Sequence, residues 1–277
     1  MAATNLLILI LLVGSCSRNL TPVGPKPLPR AHAHNDYEHD RPLLDALDHG
    51  FTSVEADINL VDGDLFVAHG PHQIKPERTL RSLYLEPLST RIARNGGRVY
   101  PNGPQFTLFI DIKTEAVATY KLLSKMLVGY ESIFTTFDSN GRTDKAVIAI
   151  VSGNRPRGLM EVQAIRYAGY DGRLADLDSD APATLIPFIS DNWTSHFSYV
   201  GTGPMPAKER RKLKNIVETA HKKGRRIRFW ATPDKPSPAR QALWQELLTA
   251  GVDLINTDDL PGLQQFLLQN TSKITKH

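Results

Sequence analysis

Two histidines near the start of the chain have the type and spacing needed for proton transfer or metal binding. His32 and His34 stand two positions apart in residues 32–37, HAHNDY. Residues two apart on an extended strand point to the same side, so both imidazoles can face one site. Histidine titrates near neutral pH and can take up or release a proton there. The pair is a candidate for acid–base catalysis.

Paired carboxylates occur in the next apolar segment. Glu55 and Asp57 alternate with apolar residues in residues 53–58, SVEADI, which places both carboxylates on one face of a strand. Two buried carboxylates side by side repel each other unless a cation or a proton compensates their charge. Oxygen ligands suit Mg²⁺ or Ca²⁺ better than a soft metal. This spacing predicts a divalent cation site.

A third apolar segment, residues 106–113 (FTLFIDIK), also ends in two ionisable residues. Asp111 can complete the carboxylate cluster, and Lys113 offers a positive charge to an anionic substrate. Each pair alone is also compatible with a purely structural role, because histidines on strands occur in protein cores and alternating acids occur on the solvent-exposed face of edge strands. Their repetition at the ends of three successive apolar segments favours a functional site.

The elements that must position these residues alternate between strands and helices from about residue 30 to residue 270. Helical patterns cover residues 42–49, 79–93, 114–130, 157–167, 207–223, 237–250 and 261–268. The eight strand candidates are Arg30–His34, Ser53–Leu60, Phe106–Lys113, Ala146–Ser152, Tyr170–Leu174, Leu185–Ser190, Arg226–Ala231 and Val252–Thr257.

Eight strands alternating with helices predict an α/β fold, a TIM (β/α)₈ barrel. We expect it to be irregular, because fewer than eight helices are clear. A doubly wound open sheet is the alternative. In both architectures the active site lies at the carboxyl ends of parallel strands, where the candidate residues stand.

Composition limits the function classes. The chain has 277 residues, of which 41% are hydrophobic and 22% charged, the balance of a folded globular domain. Lys and Arg number 33 against 29 Asp and Glu, a net charge of +4. Nucleic-acid binders are usually more basic, so we expect no nucleic acid as partner. The single cysteine, Cys16, excludes an internal disulfide and a cysteine-based zinc site.

The first residues have the pattern of a targeting segment. Residues 6–13, LLILILLV, form an apolar run shorter than the ~20 residues of a membrane-spanning helix, which is typical of a signal peptide. Residues 13–16, VGSC, resemble the lipobox of bacterial lipoproteins, which implies cleavage before Cys16 and acylation of its thiol. An ordinary secretory signal is the alternative.

These patterns predict three segments. A lipoprotein-type signal peptide covers residues 1–15, a proline-rich tether covers 16–29, and the barrel domain covers 30–277. Four prolines in residues 22–29 favour an extended tether. The expected location is the bacterial cell envelope, with the protein held at a membrane by its lipid anchor, or otherwise secreted.

Taken together, the segments resemble the superfamily of glycerophosphodiester phosphodiesterases and phosphatidylinositol-specific phospholipases C, whose fold is a TIM barrel. The resemblance covers nearly all of residues 30–270 and is densest in HNDY, PLLDAL and GFTSVEADINLVDGDLFVAHG. It is strongest to the branch with an HxHNDY motif, which includes the fungal altered inheritance of mitochondria type. By position, it implies that Glu55, Asp57 and Asp111 are metal ligands and that His69 is the second catalytic histidine.

The resemblance also assigns residues that contact the substrate. FIDIKT resembles the corresponding strand of sphingomyelinase D-like members, which makes Lys113 a cation on the phosphate side. RIRFWATPD resembles the seventh strand of the family, which places Trp230 in the substrate pocket, although a core position is equally compatible with it. Asn35 is predicted to bind substrate, and it stands where the family's common His-Arg-Gly motif has an arginine.

The resulting prediction is a metal-dependent phosphoric diester hydrolase that acts on glycerophosphodiesters or phospholipid headgroups. Mg²⁺ or Ca²⁺ would hold a phosphate oxygen, and Lys113 would add positive charge. His34 would take a proton from the nucleophile and His69 would protonate the leaving oxygen, with a cyclic phosphate as the first product where a neighbouring hydroxyl attacks. His32 is the alternative base.

Two other functions stay open on the sequence alone. Amidohydrolases and PHP-type metal hydrolases also begin with His-x-His on the first barrel strand, and His196 and Asp258 could supply the further ligands that zinc or manganese needs. A non-catalytic lipoprotein could bind lipid headgroups through residues 208–228, which hold ten Lys or Arg.

Overall fold

The computed structural model describes residues 24–274, with side chains described to residue 270. Eleven strands are present in this part of the chain, nine of them in one sheet. The strands are β1 (Leu28–Ala33), β2 (Phe51–Val61), β3 (Asp64–Val67), β4 (Phe106–Ile112), β5 (Thr136–Asp138), β6 (Gly141–Thr143), β7 (Val147–Gly153), β8 (Ala168–Gly172), β9 (Phe188–Asn192), β10 (Arg226–Trp230) and β11 (Leu254–Thr257).

The sheet closes into a barrel of eight parallel strands. Its order is β1-β11-β10-β9-β8-β7-β4-β2, and β1 also pairs with β2, which completes the ring. Strand β3 folds back antiparallel on β2 through the turn at Asp62 and Gly63. The predicted TIM barrel is therefore confirmed, and the alternative of an open sheet is wrong because β1 bonds to both of its neighbours.

α-Helices surround the barrel and occur in each connection between its successive strands except that from β8 to β9. Helix α5 and the small β5–β6 hairpin were not expected from the sequence. The helices are α1 (Leu44–Asp48), α2 (Glu86–Arg94), α3 (Ala116–Val128), α4 (Arg157–Val162), α5 (Trp193–His196), α6 (Ala207–Lys222), α7 (Pro238–Ala250) and α8 (Leu260–Ile274).

Several boundaries differ from those predicted, and two of the differences have a clear structural cause. Strand β1 begins at Leu28 rather than Arg30, because the Leu28 amide donates to the Gly50 carbonyl at 2.7 Å and extends the pairing into the proline-rich segment. Helix α4 ends at Val162, five residues earlier than expected. The next residue, Gln163, has an extended backbone and bonds through its side chain to Tyr120 and Ser124 of α3.

An apolar layer fills the lower part of the barrel and determines where the site lies. Side chains alternate between the interior and the surrounding helices along each strand, so the residue two positions after an interior apolar residue also points inward. Phe109 is followed in this way by Asp111, and Phe188 by Ser190. The interior thus becomes polar toward the carboxyl ends of the strands. The apolar layer consists of Phe109, Phe137, Ile148, Ile150, Phe188 and Leu254, all buried.

Candidate active site

Three carboxylates meet at the carboxyl ends of β2 and β4. Asp57 and Asp111 are register partners on these adjacent parallel strands, and Glu55 lies two residues before Asp57 on the same face. One oxygen from each of the three lies within 4.8 Å of the others. The structure therefore brings together the three residues that the sequence proposed as a cation site.

The hydrogen bonding of Asp57 fits a divalent cation. Its Oδ2 accepts from the Tyr37 hydroxyl at 2.7 Å and contacts His69 Nδ1 and Lys113 Nζ, each at 2.9 Å. Its Oδ1 is buried and has no partner among the described residues. Burial and the neighbouring charge of Glu55 raise the pKa of Asp57. A buried carboxylate oxygen with no donor, beside two other carboxylates, is suited to a hard cation.

Lys113 bridges two of these carboxylates. Its Nζ lies 2.9 Å from Asp57 Oδ2 and 2.9 Å from Asp111 Oδ1. Burial alone would lower the pKa of Lys113, but the charges of Asp111 and Asp57 outweigh it and raise the pKa, so the ammonium stays charged. Ser152 donates from Oγ to the other oxygen of Asp111 at 2.8 Å. Lys113 is thus a fixed positive charge at the edge of the cluster.

His34 is held by a carboxylate on the last strand of the barrel. Its Nδ1 lies 3.0 Å from Oδ1 of Asp258, which directly follows β11. Burial would lower the pKa of His34, but the hydrogen bond to Asp258 and the charge of Glu55 raise it above its ordinary value. Because Nδ1 faces Asp258, Nε2 is the nitrogen available to a substrate. From the sequence, Asp258 was considered only as a metal ligand, although its place at a strand end was the signal.

His69 is held from the other side of the mouth. It follows the β2–β3 hairpin and its Nδ1 lies 2.9 Å from Asp57 Oδ2, while most of the ring is exposed. Its Nε2 is therefore the nitrogen that can exchange a proton with a bound molecule. The two imidazoles are thus oriented by separate carboxylates, Asp258 for His34 and Asp57 for His69.

The HNDY motif connects the His34–Asp258 pair to the His69–Asp57 pair. Asn35 takes the left-handed backbone conformation, with φ of 49°. Its Nδ2 lies 3.4 Å from both oxygens of Asp258, and its Oδ1 lies 3.0 Å from the Tyr37 hydroxyl, which bonds to Asp57. Asn35 therefore links Asp258 to Tyr37 and Asp57 through hydrogen bonds within the protein, and this interaction was not expected from the sequence.

His32 lies below the mouth and is fully buried. Burial and the positive charge of Arg228 lower the pKa of His32 to about 3, so the ring is neutral. Its Nε2 accepts from Arg228 at 2.6 Å, and its Nδ1 therefore donates to Ser53 Oγ at 2.7 Å. Both nitrogens are occupied within the protein.

Arg228 crosses the barrel interior from β10 and was missed by the sequence analysis. Its Nη1 donates to Glu55 Oε2 at 2.7 Å and its Nε to Ser190 Oγ at 3.0 Å, while its guanidinium lies 3.9 Å from the centre of the Phe109 ring. Although burial raises the pKa of Glu55, Arg228 holds it well below its usual range. Glu55 stays ionised, with its second oxygen available to a cation. The only sequence signal was an arginine at an inward position of RIRFW.

A cavity of about 190 Å³ lies between these groups. Trp230 is half-buried and lines this cavity, and its contact with a substrate stays a prediction. His196 instead pairs with Asp191 at 3.2 Å and takes no part in the carboxylate cluster. Cys16 lies outside the described residues. The cavity is lined by His34, Glu55, Asp111, Lys113, Arg173, Arg228 and Trp230.

Two families of known proteins match parts of this chain. Residues 16–171 match the model of the AIM6-like phosphodiesterase domain, and residues 226–261 match that of the glycerophosphoryl diester phosphodiesterase family. Among similar curated proteins is altered inheritance of mitochondria protein 6 of Lachancea thermotolerans, 30% identical over 90% of this chain and 67% of that protein. The protein of that name from Eremothecium gossypii is 31% identical over 86% of this chain and 69% of its own length.

The predicted location in a bacterial cell envelope is wrong. The relatives are yeast and fungal proteins, and a further one comes from Arthroderma benhamiae, 29% identical over 86% of this chain and 83% of its own length. Residues 13–16, whose resemblance to a lipobox led to that location, lie outside the described residues. Within residues 24–274, none of the helices has the length and apolar character needed to cross a membrane.

Proposed function

Because this chain belongs to the AIM6-like phosphodiesterase domain family and is a phosphoric diester hydrolase, we propose that it cleaves glycerophosphodiesters or phospholipid headgroup esters by metal-assisted acid–base catalysis. The observation that carries this proposal is the placement of two imidazoles, each oriented by its own carboxylate, at the rim of one carboxylate cluster. Two oriented proton carriers beside a cation site are suited to the cleavage of an anionic diester, because they can move protons and neutralise phosphate charge.

The residues available for a divalent cation are Glu55, Asp57 and Asp111. When bound there, Mg²⁺ or Ca²⁺ would neutralise charge on a phosphate oxygen as a Lewis acid. Lys113 supplies a second positive charge at the same edge. Arg228 holds one oxygen of Glu55 and so orients the other toward the cluster.

His34 is the proposed general base. Its Nδ1–H donates to Asp258, which leaves Nε2 to accept the proton of the attacking hydroxyl. The hydroxyl oxygen then bonds to phosphorus as the bond from phosphorus to the leaving oxygen breaks. Where a hydroxyl of the substrate itself attacks, the first product is a cyclic phosphate. His32 is not suited to this role, because Arg228 and Ser53 occupy both of its nitrogens.

His69 is the proposed general acid. Asp57 accepts from its Nδ1–H and supports the protonated ring, and Nε2 gives its proton to the leaving oxygen. The hydrogen bonds of His32 disfavour an amidohydrolase-type site. That chemistry needs the histidines of the first strand as metal ligands, and both nitrogens of His32 are already bound within the protein.

A panel of diesters tests the proposal. Purified protein is incubated with glycerophosphocholine, glycerophosphoinositol and phosphatidylinositol vesicles, with Mg²⁺, with Ca²⁺ and with excess EDTA, and products are followed by ³¹P NMR. We expect metal-dependent cleavage that Asp57→Asn abolishes. Asp62→Asn, the same change at an exposed turn of the adjoining hairpin, should leave cleavage unchanged. Full activity in EDTA, or unimpaired activity of Asp57→Asn, would refute the cation site.

A further inference from the structure

Arg173 stands at the barrel mouth directly after β8, and nothing in the proposed mechanism uses it. Its side chain is 28% exposed and lines the same cavity as Lys113 and His34. All hydrogen bonds of its side chain within the described residues run through Nη1. They go to Asp171 Oδ2 at 3.0 Å and to the carbonyl oxygens of Asp171, Gly172 and Ser190 at 3.4, 3.1 and 3.3 Å.

The other cationic side chains of the cavity are bound to carboxylates of the site. Lys113 is bound to two carboxylates, and Arg228 is 4% exposed and donates to Glu55, His32 and Ser190. For Arg173, by contrast, neither Nε nor Nη2 has a hydrogen-bond partner within the described part of the chain. Neither atom is among the fully buried polar atoms that lack a partner, so both can be reached by a bound molecule. Arg173 therefore offers two neighbouring donors, Nε and Nη2, to a molecule in the cavity.

The geometry of these donors suits a phosphate group. The N–H groups of Nε and Nη2 lie on the same edge of a guanidinium and point in parallel, which matches two oxygens of one phosphate or carboxylate. The contacts of Nη1 fix the plane of the group, so little side-chain freedom is lost on binding. Such a fork in a partly dry cavity is a preorganised anion site.

We infer that Arg173 binds the non-bridging oxygens of the substrate's phosphate through Nε and Nη2. This inference rests on the proposed function for the identity of the substrate. In the transition state of diester cleavage, negative charge spreads over these oxygens, and Arg173 would face them from β8 while Lys113 and the carboxylate cluster face them from β2 and β4. Arg173 is thus a substrate-binding residue at the carboxyl end of β8.

Binding of inorganic phosphate separates this inference from turnover. The affinity of the full chain for inorganic phosphate in the presence of Mg²⁺ is measured by ³¹P NMR line broadening, for wild type, Arg173→Gln and Arg173→Lys. We expect Arg173→Gln to weaken binding by about tenfold or more, the usual effect of losing a charged hydrogen bond. The lysine variant keeps a charge and a donor for Asp171 but loses the fork, so it too should bind more weakly.

The matched control is Arg155→Gln. Arg155 follows β7 at the same end of the barrel, but its guanidinium lies 4.8 Å from the centre of the Tyr170 ring and it does not line the cavity. Removing this charge should leave phosphate affinity unchanged. An equal loss in both variants would overturn the inference, because it would show a nonspecific effect of charge.

Kinetics and stability complete the test. With a diester that the wild type cleaves, Arg173→Gln should raise KM and lower kcat. The melting temperature and the Mg²⁺ affinity of Arg173→Lys should stay at wild-type values. If diesters are cleaved and both Arg173 variants bind phosphate like the wild type, the inference is wrong and the proposed function stands. If no diester is cleaved but phosphate binding depends on Arg173, the proposed function fails and the anion site remains.

Discussion

Replacing Asp258 tests how His34 is prepared for its role as a base. Asp258→Asn keeps an oxygen that can accept from His34 Nδ1–H and removes the charge, while Asp258→Ala removes both. His34 must be neutral to accept a proton, so activity falls when the pH drops below its pKa. Asp258 helps to raise that pKa, against the effect of burial. Both variants should therefore move the acidic limb of the pH profile to lower pH.

The expected shift is small because the pair is partly exposed. The side chains of His34 and Asp258 are 31% and 51% exposed. Exposed pairs of this kind contribute about 0.2–1 kcal/mol. Since one pKa unit corresponds to about 1.36 kcal/mol, the limb should move by less than about one unit. Glu55, which also raises the pKa of His34, remains in both variants.

Loss of orientation should affect the rate more than loss of charge. Without an acceptor at Nδ1 the ring is free to rotate, so Asp258→Ala should reduce kcat/KM by about 10- to 100-fold, a part of the ~10²–10⁴-fold that general bases contribute. Asp258→Asn should lose less. The measurement is kcat/KM from about pH 5 to about pH 9, the range in which histidines titrate. Asp62→Asn should reproduce the wild-type profile. A limb that moves to higher pH, or full activity of Asp258→Ala, would refute this role.

Two further substitutions probe the surroundings of the site. Asp36 is buried and accepts from the Leu43 amide and the Tyr84 hydroxyl, and burial raises its pKa to about 7, above its unfolded value. The wild type should thus lose up to about 4 kcal/mol of its free energy of unfolding as the pH rises from about 4 to about 7. Urea unfolding of Asp36→Asn should not show this loss, and the same pH dependence in both proteins would contradict the prediction. Gly153 has φ of +68°, and an added Cβ would lie 2.3 Å from Asp111 Oδ1. Gly153→Ala should therefore weaken Mg²⁺ binding measured by calorimetry, whereas Gly158→Ala, with nothing within 4 Å, should not; equal affinities would show that Asp111 is not a ligand.

The strand ends were predictable because their signal is local. An apolar run that ends in Asp, Glu, His or Lys at alternate positions identifies both the strand and the side facing the interior, and Glu55, Asp57 and Asp111 follow this pattern. The closed barrel followed from the number of strands and not from any single residue. The small β5–β6 hairpin has only three residues in each strand and left no comparable pattern.

The interactions that were missed join residues far apart in the chain. Arg228 and Glu55 are 173 positions apart, and His34 and Asp258 are 224 apart. Each contact exists only because the barrel closes and brings β10 and β11 around to β1 and β2. The local sequence does not identify Glu55 as the partner of Arg228. The position of a charged residue on an inward-facing strand site is the clue that sequence reasoning could have used.

The division of labour between the two histidines is the central claim, and one comparison tests it most directly. His34→Ala and His69→Ala are assayed on a nitrophenyl phosphodiester, whose leaving group needs little protonation, and on the alkyl diester cleaved by the wild type. We predict that His69→Ala harms the alkyl diester far more than the nitrophenyl one, that His34→Ala harms both by about 10²–10⁴-fold, and that both variants retain Mg²⁺ binding. Equal losses on both substrates in both variants, together with lost Mg²⁺ binding, would show that the histidines are metal ligands and would contradict the account.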